Sequence, residues 1–203
     1  MKQKTLFIDF DGTICFDLFW RSLDSKIKQK ITDFLFVSNK ELINRWMMGD
    51  YSSEEIHSKL SEALEVDYEY VWDVFIKDCQ EMTIRDRTTE LLREARPTYR
   101  TVLITDNMDC FDRFTAPSLD LYNYFDYIEN SYNYGMLKSE QDGGFFKKVL
   151  HLRQINIEDA ILIDNSNDNC AAFERLGGKS IKVLHPEDIE HELKKLLSET
   201  QRS

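Results

Sequence analysis

Two aspartates one residue apart, Asp9 and Asp11, are followed at once by Gly12 and Thr13. The pair closes the apolar run Leu6, Phe7 and Ile8, which has the length and continuity of a strand buried on both faces, from about Thr5 to Asp9. Side chains alternate along extended backbone, so Asp9 and Asp11 point to one side while Phe10 points to the other, and Gly12 lets the chain turn away. Two like charges held this close push one carboxyl pKa upward unless a cation or a shared proton relieves them. A hard divalent cation does so, and magnesium suits the residue types: it takes one or two protein carboxylates and leaves positions for water and phosphate. The plainer alternative makes Asp11-Gly12 an ordinary turn pair, but it leaves Asp9 as an unpaired charge at the end of a buried strand.

Three further polar groups follow apolar runs. Thr101 to Ile104 leads into Thr105, Asp106 and Asn107, and Ala160 to Ile163 leads into Asp164, Asn165, Ser166, Asn167, Asp168 and Asn169. Between them, Gly135-Met136-Leu137-Lys138 precedes an apolar helical stripe at Phe145, Phe146, Val149 and Leu150. Taken singly, each has a bland explanation. Thr105 can start a turn or cap a helix beginning near Asp109. A lysine is normally a solvated surface charge. Polar clusters after buried strands are nonetheless what the ligand-binding edge of a parallel sheet looks like.

In this order the four groups resemble the motifs of the haloacid dehalogenase (HAD) superfamily. Asp9-Phe10-Asp11-Gly12-Thr13 matches its Asp-x-Asp-Gly-Thr motif, Thr105 its Ser or Thr at a strand end, and Lys138, three residues after Gly135, its lysine. The fourth motif departs from the pattern: where relatives carry Gly-Asp or Asp-Asp, this chain has Asp164-Asn165. The resemblance implies Asp9 as nucleophile, Asp11 as general acid and base, and Thr105, Asp106, Asn107 and Lys138 around the transferred phosphate. It also implies Mg2+ held by Asp9, Asp11 and Asn165 with Asp164 beside them, Asp164 orienting either Lys138 or the metal's waters. Asn165 as a neutral ligand is similar to the C-terminal-domain phosphatases of that superfamily, with Asn169 at the distal position. A competing register assigns the metal to Asp164 and Asp168. The activity implied is magnesium-dependent hydrolysis of a small phosphorylated metabolite through an aspartyl-phosphate. Asp11 speaks against a dehalogenase, which has no leaving alkoxide to protonate. A phosphomutase, or a catalytically idle binding module on the same fold, stays open.

The elements needed to position these groups are strands separated by helices, which predicts an α/β fold with a doubly wound, Rossmann-like parallel sheet. Residues 15–86 change texture: no proline, one glycine (Gly49) and apolar stripes such as Ile27, Ile31, Phe34, Leu35 and Ile56, Leu60, Ala63, Leu64. They read as an inserted helical cap of about four helices, with Ser52 and Glu55 as a capping box. The core is then 1–14 and 87–203, and excision of the insert is expected to leave it foldable. Trp20 and Trp46 are expected to pack in the insert, and Arg21 either packs or faces the cleft. In the core, Pro97 ends the helix marked by Leu91, Leu92 and Ala95, and a short strand is expected near Tyr127 to Glu129. Ser180 to Leu184 reads as a further strand, and Ile189, Leu193, Leu196 and Leu197 as an amphipathic last helix.

With 203 residues, 42% of them hydrophobic, the chain can bury one substantial core and a small insert. A formal net charge of −11 argues against binding nucleic acid, whose affinity comes largely from cations on phosphates. The aromatic stretch at 122–134 carries no basic residues and makes no stacking platform. Cys15, Cys79, Cys110 and Cys170 have no metal-ligand spacing and read as reduced thiols. Without a signal-peptide pattern in residues 1–15 or a membrane-length apolar stretch, a cytoplasmic protein is expected.

Overall fold

The computed structural model of the protein describes residues 4–200. Its centre is β1 (Thr5–Ile8), all four residues buried, flanked by β2 (Arg100–Thr105) and β4 (Ala160–Asp164). Outside them lie β3 (Tyr127–Asn130) beside β2 and β5 (Lys179–Lys182) beside β4. Every pairing is parallel and the strand order is 3-2-1-4-5. The chain winds outward from β1 to β3, then returns to start again at β4 on the other side of β1. That reversal opens a crevice at the carboxyl ends of β1 and β4, where side chains can converge without filling the sheet. Ile8 is level with Leu103 and with Ile163, and Asp9 N–H donates to the Ile163 carbonyl at 3.0 Å. The strands therefore deliver Asp9 and Asp164 to one rim.

The alternation of β1 explains the two layers around the sheet. Leu6 and Ile8 face a core with Leu91, Leu92 and Ala95 of α5 (Asp86–Ala95) and Ile189, Leu193 and Leu196 of α9 (Pro186–Thr200). Phe7 faces the opposite core, with Phe145, Phe146 and Val149 of α7 (Gly144–Leu152) and Phe173 of α8 (Asn167–Arg175). The Phe7 and Phe173 rings meet edge to face at 5.6 Å. Fully burying an aromatic side chain of this size contributes about 1.5–3 kcal/mol. The doubly wound parallel α/β sheet expected from the apolar runs is thus present. The helix expected near Asp109 takes a π-helical turn over Phe111–Thr115 before the single turn α6 (Ala116–Ser118).

Within 15–86 the helices are α1 (Ser25–Thr32), continued by a π-helical stretch Asp33–Ser38, then α2 (Lys40–Met47), α3 (Ser53–Leu64) and α4 (Tyr68–Gln80). Their number matches the apolar stripes, but the first begins at Ser25 because Asp24 caps it, and residues 15–24 run as turns and loop. The Ser52–Glu55 box closes in both directions, at 3.2 and 2.8 Å. Trp20, Trp46 and Phe75 are buried together, so the tryptophans pack in the core. Arg21 is no cleft residue either: its guanidinium donates to the carbonyls of Asp78 at 2.7 Å and Leu18 at 3.3 Å.

One expectation is corrected here. The helical core is not closed on itself, because Met108 and Cys110, which follow β2, belong to it. Between them the buried Asp109 carboxylate accepts from Trp46 Nε1 at 3.0 Å, Ser53 N at 3.2 Å, Ser53 Oγ at 2.6 Å and Arg113 at 2.7 Å. Excising 15–86 would strip Asp109 of three of these donors and expose two apolar side chains. The exposed apolar surface argues that the remainder should not fold unaltered.

No helix among the described residues is long and apolar enough to cross a membrane. All four cysteines are buried free thiols.

Candidate active site

The turn after β1 is built on one acceptor. The Phe10 carbonyl takes the N–H groups of Thr13, Ile14 and Cys15 at 3.0–3.2 Å, and Gly12 N–H donates to the Cys15 carbonyl at 2.7 Å. Gly12 has φ +71°, and a Cβ there would lie 2.2 Å from Asn165 Nδ2. The left-handed backbone favours glycine, and a side chain there would also displace the Asn165 amide. The turn leaves Asp9 buried at 5% exposure, with Thr13 Oγ1 donating to its Oδ2 at 3.3 Å.

Lys138 arrives from the loop after β3 and is buried at 1% exposure. Its ammonium has three donors and uses all of them: Asp9 Oδ1 at 2.7 Å, Asp164 Oδ2 at 2.8 Å and the Ile104 carbonyl at 3.3 Å. The helix expected just after it starts only at Gly144, with turns at 139–143 between. What fixes Lys138 instead is Asp106, whose Oδ1 accepts its backbone N–H at 2.9 Å. Asp164 is fixed in turn by Ser166 N–H at 2.8 Å on Oδ1 and by the Asn169 amide, 3.1 Å from Oδ2 and 3.3 Å from Oδ1.

Asp11 is held from the far side of the crevice. Asn107 Nδ2 donates to Asp11 Oδ2 at 2.7 Å, and the Asn107 amide cannot turn round because its Oδ1 accepts Met108 N–H at 2.9 Å. The Asn107 backbone N–H donates to Ser131 Oγ at 3.0 Å. Thr105 Oγ1, at the end of β2, is fully buried and has no hydrogen-bond partner. Buried hydroxyls are normally paired, so an orphan in a crevice calls for a ligand.

These contacts revise several expected roles. Asp106 and Asn107 are not free to bind phosphate, since they position Lys138 and Asp11 and the two N–H groups after Asp106 are already taken. Asp164 has its oxygens on Lys138, Ser166 and Asn169. Asp168 is exposed in the first turn of α8, away from this network. Thr13, Ser131 and Asn169 enter the site as positioning residues. Thr13 completes the first motif and Asn169 ends the polar run after β4, whereas nothing in the local sequence distinguishes Ser131.

Four carboxyls, Asp9, Asp11, Asp106 and Asp164, share this space with one buried cation. Burial pushes the Asp9 carboxyl upward against the pull of Lys138, and the Asp164 carboxylate adds to the rise. Burial likewise lifts Asp11 to about 7 and Asp106 to about 6. For Lys138 burial alone would lower the pKa, but Asp9, Asp164 and Asp106 outweigh it and keep the ammonium charged. The surplus of acid is what a divalent cation or shared protons would relieve. No group of three or more His, Cys, Asp or Glu side chains among the described residues is placed to hold a metal ion. Hard oxygen donors that could hold one are the Asp9 carboxylate, an oxygen of Asp11 and the side chain of Asn165, which lies over Gly12. Beside them lies a cavity of about 560 Å³ whose lining includes Asp11, Gly12, Asp106 and Asn107.

The profile of the haloacid dehalogenase-like hydrolase family matches residues 3–177. No curated protein matches the sequence. Among solved structures, an enzyme of the HAD family from Bacteroides thetaiotaomicron in complex with magnesium and inorganic phosphate aligns with a TM-score of 0.70 at 18% identity, over 89% of this chain and 93% of that one. A predicted HAD-like hydrolase from Porphyromonas gingivalis aligns with a TM-score of 0.72 at 20% identity, over 97% and 98%. An L-2-haloacid dehalogenase aligns with a TM-score of 0.61 at 14% identity, over 92% and 87%.

Proposed function

The chain belongs to the haloacid dehalogenase-like hydrolases, and from that premise we propose that it is a magnesium-dependent phosphomonoesterase working through Asp9, with residues 15–86 as a cap over the crevice. The observation that carries the proposal is the buried ammonium of Lys138, 2.7 Å from one Asp9 oxygen and 2.8 Å from Asp164. A carboxylate so placed is held in one orientation and cannot rotate away from an incoming phosphorus. The magnesium and phosphate bound to the Bacteroides enzyme of the same fold support the choice of ligand.

The residues divide the work as follows. An Asp9 oxygen attacks phosphorus, the bond from phosphorus to the ester oxygen breaks, and Asp11 gives its proton to the departing alkoxide. Asp11, lifted by burial to about 7, can hold that proton near neutral pH. In the second half Asp11 takes a proton from water as the water oxygen bonds to phosphorus and the bond to Asp9 breaks, returning the carboxylate and inorganic phosphate. Lys138, bonded to Asp9, would place its charge beside the phosphorus, and the unpaired Thr105 hydroxyl is free to donate to a phosphoryl oxygen. Magnesium held by Asp9 and Asn165 beside Asp11 would add positive charge against the phosphoryl oxygens and leave the Asp11 carboxyl its proton. The carboxyl group at Asp11 favours ester hydrolysis over dehalogenation, in which no alkoxide needs a proton.

Phosphate release from p-nitrophenyl phosphate tests this directly. Release should require magnesium, stop with EDTA and be absent in Asp9→Asn, whose circular dichroism should match the parent's. Comparable turnover in Asp9→Asn, or none in the parent across sugar, nucleotide and small organic phosphates, would overturn the assignment.

A further inference from the structure

We propose that the alcohol released is apolar, so that the substrate is a phosphate monoester of an aliphatic or aromatic alcohol and not of a sugar or nucleoside; this rests on the phosphomonoesterase assignment and specifies its substrate class. The cavity beside Asp11 and Asn107 is the place for the leaving group, since it is continuous with the residues that would protonate it. Away from them, apart from Asp17, its lining is apolar and includes Phe16, Leu18, Phe19, Phe36, Ile43 and Met47. No lysine, arginine or histidine lines it, so nothing there would recognise a second phosphate or a carboxylate.

Its few polar groups each have a partner within the protein on one oxygen. Asp17 accepts from Thr83 N–H at 2.7 Å and Thr83 Oγ1 at 2.8 Å. Asp106 accepts from Lys138 N–H, and Asn107 and Asp11 bond to each other. A sugar hydroxyl turned towards the apolar wall would find no partner there, at a cost of about 1–3 kcal/mol for each one buried.

The second observation is exposure. Phe16 at 40%, Leu18 at 62% and Phe36 at 43% stand open to solvent, and all three line this cavity. Apolar side chains gathered around a concavity and left uncovered by the chain itself mark a surface that an apolar ligand covers. The cavity, at about 560 Å³, has room for such a group.

A homologous series reads this out on the full-length protein with magnesium. Ethyl, butyl, hexyl and octyl phosphates have leaving groups of similar basicity, so differences in kcat/KM report the pocket. Each methylene buried should raise kcat/KM about three- to fourfold until the cavity is filled. Hexyl phosphate should exceed ethyl phosphate by at least about tenfold and also exceed glucose 6-phosphate. Phe36→Ser, at an exposed position where folding is not at stake, should flatten the dependence on chain length. Turnover that is independent of chain length, or faster with glucose 6-phosphate than with hexyl phosphate, overturns the apolar-alcohol assignment and leaves the phosphomonoesterase standing. Absence of turnover for the whole series and for p-nitrophenyl phosphate overturns both.

Discussion

Asn107 Nδ2 donates to Asp11 Oδ2 at 2.7 Å across 96 residues of sequence. Because the Met108 N–H fixes the amide, Oδ2 is permanently an acceptor, and any proton carried by Asp11 must sit on Oδ1. One oxygen is thus spent on orientation and the other is left for chemistry.

Asn107→Ala should therefore misplace the proton without removing it. Alkyl phosphates, whose alkoxides depart poorly, should lose about tenfold or more in kcat/KM, and p-nitrophenyl phosphate, whose leaving group needs little help, should lose less. Asp11→Asn should show the same asymmetry more strongly. Equal losses on both substrates, in either variant, would remove Asp11 from the acid role.

Lys138→Met should lower turnover by roughly 10²–10³-fold, because a preorganised cation facing the phosphoryl oxygens is lost. It also leaves Asp9 and Asp164 buried with no ammonium between them. Breaking a buried pair from one side costs about 3–5 kcal/mol, and the carboxyls can escape it by taking up protons. Urea unfolding should show a large loss at pH 7 that shrinks at pH 5. A variant as stable as the parent at both pH values would mean that the lysine is not compensating those acids.

Asn165→Asp should lower the magnesium concentration needed for half-maximal activity, since it puts a charge where a neutral amide stands. Asn165→Ala should raise it, and Asp168→Ala, at an exposed position, should leave it unchanged. A strong effect at Asp168 with none at Asn165 would show that the opposite register is correct.

His57 predicts an acid-side loss of stability from the helical insert. Its Nδ1 donates to the Ser53 carbonyl at 2.7 Å and its Nε2 accepts from Trp20 Nε1 at 3.3 Å, which defines a neutral ring. Burial lowers its pKa from 6.5 to about 4. Between those values the unfolded chain binds more protons than the folded one, so stability falls as pH drops from 6.5 towards 4 and the loss levels off below. The full effect is roughly 3 kcal/mol. The raised carboxyls of the crevice act with the opposite sign, so the comparison is the change from pH 7 to pH 4.5 in the parent against that in His57→Gln. The parent should lose more; identical losses would show that the ring does not resist protonation.

Much of the molecule was legible in the residues because it depends on local order along the chain. Continuous apolar runs such as Leu6 to Ile8 and Ala160 to Ile163 can be satisfied only by a sheet covered on both faces. A run that stops at acids places them at a strand end, which is how Asp9 and Asp11 could be found before any tertiary contact was known. Spacing also carried the Ser52–Glu55 cap, since its two bonds lie within one turn. The partners of those groups were not legible, because they depend on side-chain directions meeting across long separations. Asp106 and Asn107 looked like phosphate ligands, yet the fold turns one to the backbone of Lys138 and the other to Asp11. Nor could the meeting of Asp164 with Lys138, which comes from the loop after β3, be read along the chain. The joining of the insert to the sheet layer through Asp109 could not be read either. A single buried carboxylate shared by Trp46, Ser53 and Arg113 leaves no periodic trace, because hydrogen-bond satisfaction is decided only where the chain closes on itself.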